Sequence, residues 1–174
     1  MVYFISDLHL GHENIIKYCS RPFVNVNEMN EALIENWNKC VNRNDKIFVL
    51  GDFALSNRED IVKWGRALRG NKVLILGNHD RASRKTYYEA GFSEVIKYPI
   101  LWNGYHLLSH SPIELSKDLI NIYGHVHNMG ETTDTKACVS VEMIDYKPIS
   151  FIDLYKLLQS KKRRSVDVRE KMSN

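Results

Sequence analysis

Short apolar runs that stop at polar clusters constrain this chain more than any other feature of its sequence. "VYFIS" (2–6), "KIFVL" (46–50), "KVLIL" (72–76), "YHLLS" (105–109), "LINIY" (119–123) and "CVSVEMI" (138–144) are rich in aliphatic and aromatic residues, as strands buried on both faces are. The first leads into Asp7 and His9, the second into Asp52, and the third into Asn78, His79 and Asp80. The fourth meets His110, and the fifth His125 and His127. Loops that leave the C-terminal ends of strands in an open α/β sheet gather along one edge, so these scattered residues are expected to converge.

Helical patterns separate the early runs. "NVNEMNEALIENWNKCV" spaces Met29, Leu33, Trp37 and Val41 four apart, and "SNREDIVKWGRAL" offers Ser56 or Asn57 as a cap ahead of Ile61, Trp64 and Leu68. "SRKTYYEAG" reads as a further helix stopped at Gly91, and "SFIDLYKLLQ" as a last one capped by Ser150. Strand and helix alternate in the first half and strands dominate the second, which predicts an α/β domain with a mixed sheet core covered by helices. With 174 residues the chain has room for one such domain. We place it at 1–158, followed by a basic polar tail at 159–174 that is expected to be flexible.

Composition excludes several function classes. Apolar residues make up 44% and charged ones 26%, values that fit a chain with a real core. No apolar run approaches the roughly 20 residues of a membrane span, and the N-terminus lacks the pattern of a secretion signal, so a cytoplasmic protein is expected. The odd set Cys19, Cys40 and Cys138 lacks zinc-knuckle spacing and fits reduced thiols. A net charge of +3, without interleaved basic and aromatic residues, gives no track for a processive nuclease; nucleic acid as a partner is possible but not indicated.

The chemical type of the strand-end set is informative in its own right. Carboxylates, one amide oxygen and imidazoles, with no thiolate, suit first-row divalent ions better than calcium or magnesium alone. Seven candidate ligands exceed what one such ion uses, whereas two ions about 3.5 to 4 Å apart would employ them all. Gly51, Gly77 and Gly124 precede the clusters, where close backbone approach favours a residue without Cβ.

"DLH", "GD", "GNHD", a later His and "GHVH", in that order on those strand ends, resemble the calcineurin-like metallophosphoesterase family. The resemblance spans Asp7 to His127 and implies a layered α-β-β-α sandwich with mixed sheets flanked by helices. It implies that Asp7, His9 and His127 hold one metal, that Asn78, His110 and His125 hold another, and that Asp52 bridges them. Manganese is the first expectation for both ions, with iron, nickel or zinc as alternatives. Family members usually carry Gly where this chain has Ser109.

The implied activity is hydrolysis of a phosphomonoester or phosphodiester, of nucleotide type, by water activated on the metals. His79 is expected to donate a proton or hydrogen bond to the substrate, and Asp80 to orient that imidazole or raise its pKa. His12, Arg21 and Arg81 are candidates for substrate binding, the arginines because a guanidinium pairs two phosphate oxygens. His106, Tyr98 and Trp102 are read as packing residues. The alternative is a catalytically weak metal-binding module on the same fold that serves protein interaction.

Overall fold

The computed structural model describes residues 1–116 and 118–172, the stretch 163–172 as backbone alone. β1 (Val2–Ile5) leads through α1 (Glu13–Tyr18) and α2 (Val26–Cys40) to β2 (Lys46–Val49); α3 (Arg58–Ala67) leads to β3 (Asn71–Ile75), and α4 (Arg84–Glu89) to β4 (Phe92–Ile96). These four strands lie side by side in chain order, all parallel. Successive right-handed crossovers in one direction put the connecting helices on one face of the sheet. The other face is left free for a second sheet.

That second sheet is built from β5 (Ile100–Trp102), β6 (His106–Leu108), β7 (Ile120–Tyr123) and β8 (Lys136–Cys138), with β5 antiparallel to β6 and the rest parallel. Aromatic residues join the layers. Phe4 of β1 stacks on Phe48 of β2 at 5.6 Å between ring centroids, and Trp102 of β5 meets Phe4 edge-on at 5.4 Å. The chain then returns: Ser6 donates its N–H to the carbonyl of Val139, and Val141 donates to that of Ser6. A short β9 (Ile149–Ser150) closes the first sheet antiparallel to β1 and runs into α5 (Phe151–Met172). The α/β layering is what the strand and helix patterns predicted, and the two mixed sheets with flanking helices are what the family resemblance implied.

Local chemistry explains the boundaries. Asn25, Asn57 and Ser83 each accept a hydrogen bond from the backbone N–H three residues on, capping α2, α3 and α4, and Ser150 does the same at the start of α5. Several elements differ from expectation or were not expected, β9 and the 3-10 segment His127–Met129 among them. "CVSVEMI" is strand only up to Cys138 and then turns into a 3-10 segment, Val141–Met143, because Ser140 and Glu142 are drawn to polar partners described below. β4 and β5 were missed since half of their residues face outward, and α1 since its six residues show too little periodicity. The expectation of a flexible tail lies, from 163 onward for side chains and for 173–174 altogether, outside the described residues; the backbone of α5 continues as helix through Met172.

His106 behaves as the packing residue it was read as, its Nδ1 2.6 Å from Asn103 Oδ1 and its ring against Trp102 and Phe151. Among the described residues no helix is long and apolar enough to cross a membrane. Trp37 of α2 is fully buried and donates its indole N–H to the carbonyl of Arg69 at 2.9 Å. Trp37→Ala should cost about 3–5 kcal/mol by emptying that site. Urea unfolding followed by circular dichroism, with an unchanged slope, is the check.

Candidate metal centre

The C-terminal ends of β1, β2, β3, β6 and β7 meet where the two sheets adjoin, and each delivers part of one polar cluster. The backbone there is unusual. Asp7 (φ 59°), His9 (51°), Asp52 (54°), His125 (74°) and His127 (52°) all occupy the left-handed region, which costs a non-glycine residue about 1–2 kcal/mol. Hydrogen bonds between the strand-end loops hold them: Asp7 N–H to Gly51 O at 3.0 Å, His9 N–H to Asp52 O at 2.9 Å, and His125 N–H to Asp7 Oδ2 at 2.9 Å. Two glycines make the approach possible. A Cβ on Gly77 would collide with Asp52, and one on Gly124 with Ser6 and Asp7.

All seven predicted donors come together. Asp7 Oδ2 is saturated by His125 N–H and by the hydroxyl of Ser140 at 2.7 Å, whereas Asp7 Oδ1 and His9 Nε2 are buried with no hydrogen-bond partner. Ligand atoms of Asp7, His9 and His127 lie within 4.8 Å of one another. On the other side Asn78 Oδ1 is 2.9 Å from His110 Nε2 and 3.0 Å from His125 Nδ1, and the two nitrogens are 3.2 Å apart. Atoms bound at right angles to one ion by bonds of about 2.0–2.1 Å are separated by about 3 Å. Between the groups, Asp52 Oδ2 sits 3.4 Å from His9 Nε2 and 3.5 Å from His110 Nε2.

Buried polar atoms without partners are rare in a folded protein; of the four among the described residues, Asp7 Oδ1 and His9 Nε2 belong to this donor set, and His106 Nε2 and Glu142 Oε2 do not. Tautomers suit a cation site. His110 Nδ1 is 2.8 Å from the carbonyl of Leu50; a carbonyl only accepts, so Nδ1 carries the proton and Nε2 keeps its lone pair for the cluster. The residues present thus fit divalent ions on chemical grounds.

Two expectations change. Asp80 does not orient His79: its carboxylate accepts from the N–H groups of Asp52, Phe53 and Gly77 at 2.8–3.0 Å and from the Tyr87 hydroxyl at 3.3 Å. It shapes the loops that carry Asp52 and Asn78. Arg21 is no phosphate clamp, because its guanidinium is buried and turned inward onto Glu142 and the carbonyls of Asp7 and Leu8. Ser109, where family members usually carry Gly, donates to Ser111 O and accepts from Asn121, tying β6 to β7 behind His110.

His79 is half-buried, its ring centroid 5.2 Å from that of His9, and its N–H bonds to Asp52 Oδ1 at 2.8 Å. The His12 ring lies 5.3 Å from His9 and 6.2 Å from His79. Arg81 is exposed. Sequence reading missed Glu142, whose Oε1 is 3.0 Å from His127 Nδ1, and Ser140 on Asp7. Their signal was present: two polar side chains interrupt an otherwise apolar run.

Electrostatics follow the geometry. Burial pushes the Asp52 carboxyl up, but the nearby imidazoles of His9 and His110 and the His79 N–H outweigh it and hold the pKa at about 2. Burial opposes ionisation of Glu142 too, yet His127 and Arg21 bring it to about 2. His127 is disfavoured as a cation by burial and favoured more by Glu142 and Asp7, so its pKa rises. Burial and the neighbouring His9 and His79 lower that of His12, and burial with His110 lowers that of His125. Asp80 is raised by burial, against the pull of its three N–H donors.

Residues 1–169 match the family model of the calcineurin-like phosphoesterases. The chain belongs to this family. Among relatives of this metallophosphoesterase, the uncharacterized protein MJ1445 of Methanocaldococcus jannaschii is 41% identical over 176 residues, covering 92% of this chain and 93% of that one. The Gene 66 protein of Mycobacterium phage L5 is 32% identical over 81 residues, 45% of this chain and 39% of the phage protein. Among solved structures, the protein of unknown function AQ665 from Aquifex aeolicus superposes with a TM-score of 0.69 at 30% identity, covering 90% of this chain and 98% of its own. Nuclease MPE of Pseudomonas putida shares the fold, with a TM-score of 0.51 at 22% identity over 72% of this chain and 61% of its own.

Gly124→Ala should destabilise the metallophosphoesterase by about 1–3 kcal/mol and weaken manganese binding, read by thermal melting with and without the metal. For the metal-free protein the folded pKa values of Asp52 and Glu142 lie below their ordinary ones. Their stabilisation is therefore complete above the ordinary carboxylate range and is lost as pH falls through about 2. Melting temperatures of metal-free protein should fall steeply over that window, and less steeply in Glu142→Gln.

Proposed function

We propose that this chain is a divalent-metal-dependent phosphoesterase acting on a phosphomonoester or phosphodiester of nucleotide type. The observation that carries the proposal is the placement of two groups of three donors on either side of one Asp52 oxygen, with two of the buried donor atoms unpartnered. Asp7, His9 and His127 hold one ion, Asn78, His110 and His125 the other, and Asp52 serves both. Manganese is the first choice for the donor set, with iron, nickel or zinc as alternatives. Bound there, two ions would supply Lewis acidity toward a phosphoryl oxygen and lower the pKa of water from 15.7 toward about 7.

The chain's own residues do the rest. His79 projects from the "GNHD" turn, and its N–H bond to Asp52 fixes the backbone that presents the imidazole at the mouth of the centre. From there it gives a proton or hydrogen bond to the leaving-group oxygen. His12, its pKa lowered by burial and its histidine neighbours, lies beside His9 and His79 and is placed to hydrogen-bond a phosphate oxygen on the same side. Arg81, exposed after the same turn, supplies a cation at the rim. A cavity of about 310 Å³ beside Asn78, His110 and His125, lined also by Lys97, Pro99 and Ile113, offers room for the rest of the ester and a second cation. The fold shared with the Pseudomonas putida nuclease is compatible with a nucleotide-type substrate.

Metal-stripped protein resupplied with manganese should hydrolyse p-nitrophenyl phosphate or its bis ester, and the ratio of the two rates assigns monoester or diester preference. Two bound ions with no turnover on either ester would favour the interaction-module alternative. His79→Ala should reduce turnover by about 10²- to 10⁴-fold with metal content intact. Asp52→Asn should lose metal and turnover together. Wild-type rates for His79→Ala on an ester with a poor leaving group would remove the proton-donor role.

A further inference from the structure

The most deeply buried ion pair of the molecule faces the metal centre and has no part in the reaction as described. We propose that Arg21 and Glu142 are a positioning pair that fixes the ring of His127 for the first metal and leaves the second metal site untouched; this rests on the ligand assignment above.

An imidazole can offer either nitrogen to a metal, and which one is set by the hydrogen bond the other makes. Glu142 Oε1 lies 3.0 Å from His127 Nδ1. A carboxylate accepts, so Nδ1 carries the hydrogen and Nε2 is left as the lone-pair nitrogen, 4.0 Å from Asp7 Oδ1. Glu142 itself cannot rotate away, since Arg21 Nε and Nη2 hold the same oxygen at 2.9 and 2.7 Å. The remaining contacts of that guanidinium reach Leu8 O at 2.9 Å and Asp7 O at 2.7 Å. One planar group thus ties the backbone of Asp7, a ligand in the left-handed region, to the acceptor that aims His127.

Burial argues for positioning over stability. The side chains are 0% and 3% exposed, and taking two charges out of water costs enough that an apolar pair of similar volume is often as stable or more so. Nothing comparable serves the other group. The His110 tautomer is set by the main-chain carbonyl of Leu50, and His125 meets Asn78 and His110 directly.

The test is calorimetric titration of metal-stripped protein with manganese, beside thermal melting. Wild type should take up two ions. Arg21→Met combined with Glu142→Leu removes both charges but also the donors to Leu8 O and Asp7 O, so it should melt below wild type while one site weakens about 10- to 100-fold and the other keeps its affinity. Glu142→Gln, which keeps the shape, should weaken the same single site and serves if the double variant does not fold. Two wild-type affinities in a folded variant, or equal weakening of both sites, would overturn the positioning role. Wild-type protein that binds no manganese would instead overturn the metal assignment and this inference with it.

Discussion

Two carboxylates, Asp7 and Asp52, stand almost fully buried at the ends of adjacent parallel strands, and the rest of the structure is arranged around satisfying them. A buried charge is tolerated only when it is paired, hydrogen-bonded or bound to a cation. Asp7 has two donors on one oxygen and none on the other; Asp52 has the His79 N–H on one and two imidazoles within 3.5 Å of the other. The parallel sheet explains why they meet: strands side by side in chain order bring every C-terminal loop to one edge. The second sheet then contributes His110, His125 and His127 because its parallel strands end at the same place.

Much of this was legible in the sequence because apolar runs and polar clusters alternate so sharply. Spacing and the resemblance of "DLH", "GD", "GNHD" and "GHVH" placed the seven donors on strand ends that the structure brings together. What stayed hidden depends on side-chain direction. Arg21 and Arg81 look alike in sequence, yet one is buried under Asp7 and the other exposed. Asp80 sits beside His79 in the chain, but the turn sends its carboxylate to the backbone of another loop. Glu142 was hidden for the same reason that β8 was drawn too long: apolar neighbours suggested a strand, and the pull of His127 and Arg21 on one carboxylate turned the chain.

Neighbouring side chains of the "GNHD" turn take different directions. Asp80 is consumed by three backbone N–H groups and the Tyr87 hydroxyl, so it acts on loop geometry. His79 is thereby left with an imidazole free to face a substrate. Had Asp80 paired with that imidazole, a proton donor would have been gained and the scaffold for Asp52 and Asn78 lost.

Strain sets the energetic scale. Asp7, His9, Asp52, His125 and His127 in the left-handed region, at about 1–2 kcal/mol each, amount to a sum comparable with the whole net stability of a domain, about 5–15 kcal/mol. Such a set persists only because the loop-to-loop hydrogen bonds and the close glycines over-determine it. Ions that bind the folded chain and not the unfolded one would add their binding free energy to its stability by mass action.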